Sequence, residues 1–155
     1  MSDQAPADPA VTDEALASQP VGYWAGLAHE VVTAHLRDAM ARIDVTQPQY
    51  WVLNRVHGGS VAPGRAEVVE QLAPLAAGPE EIGRTVDQLL HRGWLRADRE
   101  QRLHLTGDGE AARLRLRALV TGLRTVVHEG VADEEYAAAL RVLRRMVANV
   151  RAAQE

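Results

Sequence analysis

"TVDQLLHRGWLRADREQRLHLTGDGEAARLRL", from Thr85 to Leu116, decides how the rest of the chain is read. It continues a run of helical spacing in which Ile82, Val86, Leu89 and Leu90 share one stripe, leaving Glu80, Glu81, Arg84, Thr85 and Gln88 on other faces. Gly93 closes that run, because glycine enters the left-handed conformation past a helix end at least cost. Two short alternating stretches follow, Trp94 to Arg96 and Arg102 to Leu105, joined by a turn around Asp98 to Gln101. That pattern predicts a two-stranded ribbon. A lone hairpin is marginal in water, so the ribbon must lean on helices. Thr106 is placed to cap a new helix running to about His128.

Upstream, apolar residues recur at helical spacing from Gly22 to Ile43, through Trp24, Leu27, Val31, Leu36 and Met40. Asp44 to Pro48 interrupts them, with Thr46 as an N-cap and Pro48 in a first turn. Tyr50, Trp51, Leu53 and Val56 predict a buried second helix, which "HGGS" at His57 to Ser60 stops. "APGRAEVVEQLAPLAA" predicts a short third helix with Val68, Val69 and Leu72 inward, bent or ended by Pro74. Gly78 and Pro79 open a fourth, reaching Arg92. Beyond the ribbon, Leu114, Leu119, Val120, Leu123 and Val127 ride on a long helix that Gly130 ends. Asp133 is expected to cap a last helix, striped by Leu140, Leu143, Met146, Val147 and Val150, with arginines near its end where the dipole favours cations. The fold class is mainly α with a small two-stranded β-wing.

At 155 residues the chain has the size of one domain. Residues 1–20, rich in Ala, Pro, Asp and Ser, are expected to form a flexible acidic tail, and residues 21–155 a single domain. The net charge of −4 is unevenly spread. The tail holds acids and no arginine, whereas Arg84 to Arg124 carries an excess of arginine, a modest basic patch. The absence of cysteine removes disulfides and thiolate metal sites. No apolar run approaches the roughly 18 residues of a membrane span, and the opening lacks the pattern of a signal peptide, so a cytoplasmic location without membrane contact is expected.

Enzyme chemistry finds little purchase. Without lysine there is no phosphate-binding Walker loop and no Schiff base. Ser60 in "GGSVA" lacks the final glycine of a nucleophile elbow. "GDGEAA" places a glycine pair before a helix, as dinucleotide-binding folds do, but the helix after it leads to another helix instead of a strand. The six histidines contain no pair at helical clamp spacing, although distant ones can meet in a fold. No catalytic set, cofactor or metal is expected.

"TVDQLLHRGWLRAD" leading into "LHLTGDG" resembles the MarR (multiple antibiotic resistance regulator) family of winged helix-turn-helix transcription factors. The likeness is carried by Leu89, His91, Arg92, Gly93, Trp94, Leu95, Arg96, Leu105, Thr106 and Gly109 in order, and by "VTQPQYWVLNRV", which looks like the family's second helix. It spans most of Gly22 to Ala152. It implies a winged helix-turn-helix with long terminal dimerisation helices, residues 45–105 forming the DNA-binding lobe and 22–43 with 106–152 joining two copies. The implied function is a sequence-specific DNA-binding regulator, a homodimeric repressor released by a small molecule. The apolar stripes near the chain's ends fit this independently, since a long helix cannot bury such a stripe alone.

By this resemblance Pro79 to Arg92 is the recognition helix. Arg84 and Gln88, one turn apart, are matched to guanine and adenine edges in double-stranded DNA, and Thr85 to a backbone or methyl contact. Arg96, Arg99 and Arg102 in the ribbon are candidates for phosphate or minor-groove contacts, and Arg65 for a further phosphate. Glu80 and Glu81 depart from the family's pattern: carboxylates there suit the helix dipole but oppose phosphate. Either they accept from cytosine, or the chain is a winged-helix dimer that has lost specific DNA binding and meets a protein partner. The wing is shorter than usual and keeps its aspartate and arginine as Asp98 and Arg102. Trp24, His35, Tyr50 and Trp51, where the first two helices converge, are candidates for holding a small aromatic effector; core packing accounts for the same residues.

Overall fold

The computed structural model describes residues 11–154. Its first element, α1 (Asp13–Ala17), is a single exposed turn whose N-cap Thr12 accepts from the Ala15 N–H at 3.2 Å. The second half of the expected tail therefore carries local helix, made by a Thr-Asp-Glu start that caps the turn and complements its dipole. The first half lies outside the described residues. α2 (Val21–Ala41) follows, with Met40 its only buried residue.

The core begins after α2. Thr46 and Gln49 form a capping box on α3 (Gln47–His57), each side chain accepting from the other's backbone N–H, with Pro48 in the first turn as expected. Val52, Leu53 and Val56 are buried, whereas Tyr50 and Trp51 are only half-buried and stand at the edge of the core. α4 (Arg65–Leu72) sends Val68 and Leu72 inward and tightens into a 3-10 turn, Ala73–Leu75, at Pro74. α5 (Glu81–His91) contributes Ile82, Val86 and Leu89, all essentially solvent-free. It is shorter than the expected Pro79 to Arg92 because Glu80 serves as its N-cap position and Arg92 as its C-cap.

After α5, the Trp94 N–H bonds to Leu89 O at 3.0 Å and the Gly93 N–H to Leu90 O at 3.1 Å, with Gly93 at φ +76°. This is a Schellman ending, and it needs the glycine. β1 (Leu95–Ala97) and β2 (Leu103–Leu105) then pair antiparallel, Leu95 opposite Leu105 and Ala97 opposite Leu103. A third strand position extends the ribbon. Gly64 bridges Arg102, and the Leu103 N–H donates to Pro63 O at 2.8 Å. The sequence hides this edge because Pro-Gly reads as a turn; proline nonetheless supplies a carbonyl and tolerates an edge.

α6 (Gly107–Val127) starts where predicted. Thr106 Oγ1 accepts from the Gly109 N–H at 3.0 Å and donates to Gly93 O at 2.6 Å, so one hydroxyl caps α6 and ties it to the end of α5. Ala112 and Leu116 complete the core. α7 (Asp133–Ala152) closes the chain after Gly130 at φ +74°. Asp133 is its first residue and not its cap: the N-cap position is Ala132, whose N–H is taken by Glu135 Oε2 at 2.9 Å. No residue of α7 is buried. Among the described residues no helix is long and apolar enough to cross a membrane.

Gly109 sits where a side chain has no room, since a Cβ there would lie 1.9 Å from Trp94 O. Gly109→Ala is expected to lose about 1 to 3 kcal/mol of stability by forcing α6 off the β1 backbone. Urea unfolding measures this directly, and a loss within the scatter of surface substitutions would show that the approach is not required.

Candidate nucleic-acid interface

α5 is split sharply between its faces. Ile82, Val86 and Leu89 fill the core, while Arg84, Asp87, Gln88 and His91 are exposed on the opposite side. Arg84 and Gln88 therefore stand together on an open face, one turn apart. Arg84 makes no ion pair or side-chain hydrogen bond among the described residues, and Gln88 has only a long contact from Gln49 Nε2 at 3.4 Å.

Thr85 is on the wrong side for DNA. It is buried, and its hydroxyl donates to Glu81 O at 2.8 Å, back along its own helix. Its i,i+4 bond and core packing consume the group that the sequence reading assigned to a duplex. Glu81 also turns away. Its Oε2 accepts from the Ala77 N–H at 2.7 Å and so closes the loop before α5. Of the two carboxylates Glu80 is exposed and Glu81 half-buried.

The arginines divide in the same manner. Arg65 forks onto Asp87, Nη2 to Oδ2 at 2.9 Å and Nε to Oδ1 at 3.2 Å, and gives a third bond to Gly83 O at 3.0 Å. A bidentate pair of this kind fixes α4 against α5, so Arg65 positions α5 and is not a free phosphate donor. Arg102 is likewise engaged, with Nη1 donating to Ala62 O at 3.0 Å and standing 3.7 Å from Glu67 Oε1. It pins the sheet edge to the start of α4. Arg96 on β1 and Arg99 in the turn are exposed and have no ion-pair partner among the described residues.

Asp98 builds the wing turn. Its Oδ1 accepts from the N–H groups of Glu100 at 3.0 Å and Arg102 at 2.8 Å, and its Oδ2 lies 2.7 Å from His104 Nε2 on the facing strand. These bonds hold Gln101 at φ +60° and close a tight loop that presents Arg99 at its tip. The hydrogen bond from His104, then that from the Arg102 amide, hold the Asp98 carboxyl below the usual aspartate value.

Two braces orient this surface. The Arg92 guanidinium lies 3.7 Å from the Trp94 ring centroid and donates to Asp44 O at 2.6 Å, joining the end of α5 to the α2–α3 turn. Arg113, buried in α6, forks onto Glu110 at 2.7 and 2.8 Å, and Glu110 in turn faces His57 Nδ1 at 3.4 Å. The bond to Arg113 lowers the Glu110 value and raises that of Arg113. The sequence marked Arg92 only through resemblance and did not mark Arg113 at all; Arg92 depends on a tertiary neighbour that spacing does not encode, whereas Glu110 and Arg113 form a pair three residues apart on one helix.

The four residues grouped as an effector site are not brought together. Trp24 lies in the first turns of α2, beside Tyr23 with ring centroids 5.3 Å apart and hydrogen-bonded to Gln19. His35 is three helical turns further along and exposed. Trp51 alone lines a cavity, about 320 Å³ in volume, together with Arg37, Thr46, Gln47, Pro48 and Glu81; Tyr50 does not. Arg37 went unnoticed in the sequence, where nothing links it to Gln47, which its Nε reaches at 3.3 Å. The cavity joins α2, the start of α3 and the start of α5.

No protein-family model matches the chain, and no curated protein matches it. Solved structures do. A MarR-family protein from Mycobacterium tuberculosis, solved in complex with DNA, aligns with a TM-score of 0.67 at 19% identity over 83% of this chain and 98% of its own. The reduced form of MarR from E. coli aligns with a TM-score of 0.65 at 19% identity over 83% and 93%. A complex of the Mycobacterium tuberculosis protein with p-aminosalicylic acid aligns with a TM-score of 0.62 at 19% identity over 83% and 98%. The chain has the winged-helix fold of the MarR regulators, as the motif order from Leu89 to Gly109 led one to expect.

The depressed Asp98 value has a consequence for the wing. A carboxylate with a lowered folded value contributes fully above the ordinary 3.8 and loses its contribution as pH falls through the lower folded value. The Asp98 carboxyl should titrate below 3.8 by carbon NMR, and the Glu100 and Arg102 amides should lose exchange protection only across that same acid step. A midpoint at or above the ordinary value would remove Asp98 as the organiser of the turn.

Proposed function

We propose that the chain is a DNA-binding transcriptional regulator that works as a homodimer, lays α5 into the major groove and steadies it with the wing. The observation that carries this reading is the open face of α5: Arg84 and Gln88 are exposed together and Arg96 and Arg99 of the ribbon are unpaired among the described residues, while every other arginine of the lobe's framework is engaged within the protein. Arg84 presents a planar fork suited to guanine, and Gln88 a donor and acceptor suited to adenine. Arg96 and Arg99 supply backbone neutralisation. Glu80 is the opposing charge exposed at the helix start.

The pairing of two chains rests on surface that one chain leaves bare. Tyr23, Trp24, Leu27 and Val31 on α2 and Leu140, Val142, Met146, Val147 and Val150 on α7 are all exposed. Exposed apolar stripes of that kind on two long helices mark an interface. A second copy supplies the same surface and would set two α5 helices at roughly the 34 to 36 Å of one DNA turn. Repression follows from occupancy of a promoter, and its release from a ligand that changes that spacing. The Arg37 and Trp51 cavity suits such a ligand: a guanidinium for a carboxylate, an indole for an aromatic ring, and Glu81 to connect occupancy to the start of α5.

Fluorescence anisotropy with promoter-derived and random duplexes across a salt series tests the proposal. A selected duplex should bind far more tightly than random sequence and weaken with salt. Arg84→Ala should cost about 1 to 3 kcal/mol on the selected duplex and relax its selection. Arg99→Ala should weaken all duplexes alike and lower the salt slope by about one. Added p-aminosalicylate should release the selected duplex in the parent and not in Arg37→Ala. Equal, salt-insensitive binding of all duplexes would contradict the proposal.

A further inference from the structure

His57 and His104, well separated in sequence, meet at one cavity. It has a volume of about 420 Å³ and lies at the base of the wing, and its wall also contains Ser60 and Arg96. Each imidazole has a carboxylate behind it. His57 Nδ1 is 3.4 Å from Glu110 Oε2, and His104 Nε2 is 2.7 Å from Asp98 Oδ2. Both carboxylates are held where they are, Glu110 by the fork of Arg113 and Asp98 by two wing amides. Neither lines the cavity.

We infer that this cavity at the wing base is a binding site for a phosphate-type oxyanion, held by His57, His104, Arg96 and Ser60. Three chemical facts select an anion. The guanidinium of Arg96 repels a cation and matches an oxyanion's geometry. Ser60 adds a hydroxyl donor. With one nitrogen of each ring turned to a carboxylate, the other becomes a donor only when the ring takes up a proton, so an arriving anion completes a carboxylate, imidazolium and oxyanion chain on each histidine. The charged neighbours of the pair are then Asp98 and Arg96 for His104, and Glu110 with Arg113 for His57. Metal binding has less support, because among the described residues no group of three or more histidines and acids is placed to hold an ion.

The shared chemistry admits two sources, a free phosphorylated small molecule and the phosphodiester of a bound duplex. Inorganic phosphate is the probe, titrated into the full chain against chloride at matched ionic strength. The ring signals of His57 and His104 should shift saturably while that of His29 on α2 stays still, and calorimetry in buffers of different ionisation enthalpy should register proton uptake. Arg96→Gln should weaken phosphate by roughly tenfold or more. The double variant His57→Gln with His104→Gln should abolish the response while melting as the parent does.

A duplex added to the phosphate-loaded protein separates the sources. Displacement of phosphate, with the double variant weakening every duplex alike, assigns the site to the DNA backbone; simultaneous binding assigns it to a free phosphorylated molecule. Both results support an oxyanion site. Unmoved His57 and His104 signals, a response unaltered in Arg96→Gln, or saturation by zinc ion in place of phosphate would overturn it.

Discussion

The lobe is organised by one close approach, that of Gly109 in the first turn of α6 to the backbone of Trp94. Only a residue without Cβ lets the two chains meet there. The same joint contains the Thr106 hydroxyl, which caps α6 and reaches Gly93 O, and the Thr106 N–H, which bonds to Trp94 O at 3.1 Å. The end of α5, both ribbon strands and the start of α6 are thereby fixed within a few residues. Of the glycine pair that resembles a dinucleotide motif, Gly109 is accounted for by packing, whereas a Cβ at Gly107 would meet nothing within 4 Å.

Around that joint the arginines serve two ends, distinguished by whether they have partners. Arg65, Arg92 and Arg102 are spent on the protein itself, each bridging elements distant in sequence, and Arg113 is spent on Glu110 one turn before it in α6. Arg84, Arg96 and Arg99 project from the frame so made. The partition is why a net charge of −4 is compatible with a local cationic face: net charge counts all arginines equally, whereas those left unpaired are the ones open to a partner. It also explains why a bland count of basic residues between Arg84 and Arg124 was a weak guide.

Legibility in the sequence follows the range of the interactions. Helix starts at Thr46 and Thr106 and the helix end at Gly93 were readable because caps and left-handed glycines act within a few residues. The ribbon was readable from alternation. What escaped was mostly set by distant neighbours: the sheet edge at Pro63 and Gly64 and the commitment of Arg65 to Asp87. The start of α7 is a local exception, where Glu135 closes on the Ala132 N–H and Asp133 is the first helical residue. Thr85 was misjudged for a related reason, since it sits beside Arg84 in sequence but faces the opposite side of α5. The effector grouping depends on long-range geometry too: Trp24 and His35 are eleven residues apart on α2, about 16 Å along its axis, and of the four residues Trp51 lines the cavity between α2, α3 and α5.

The account stands or falls on two copies of the chain presenting both α5 helices outward. The absence of cysteine makes a direct distance measurement simple. A spin label on His91→Cys, an exposed position of α5, should give one dipolar distance per pair, centred on roughly 34 to 36 Å when a selected duplex is bound, plus the reach of the label. Absence of any dipolar coupling, or a distance so short that the two α5 helices face each other, would contradict the account.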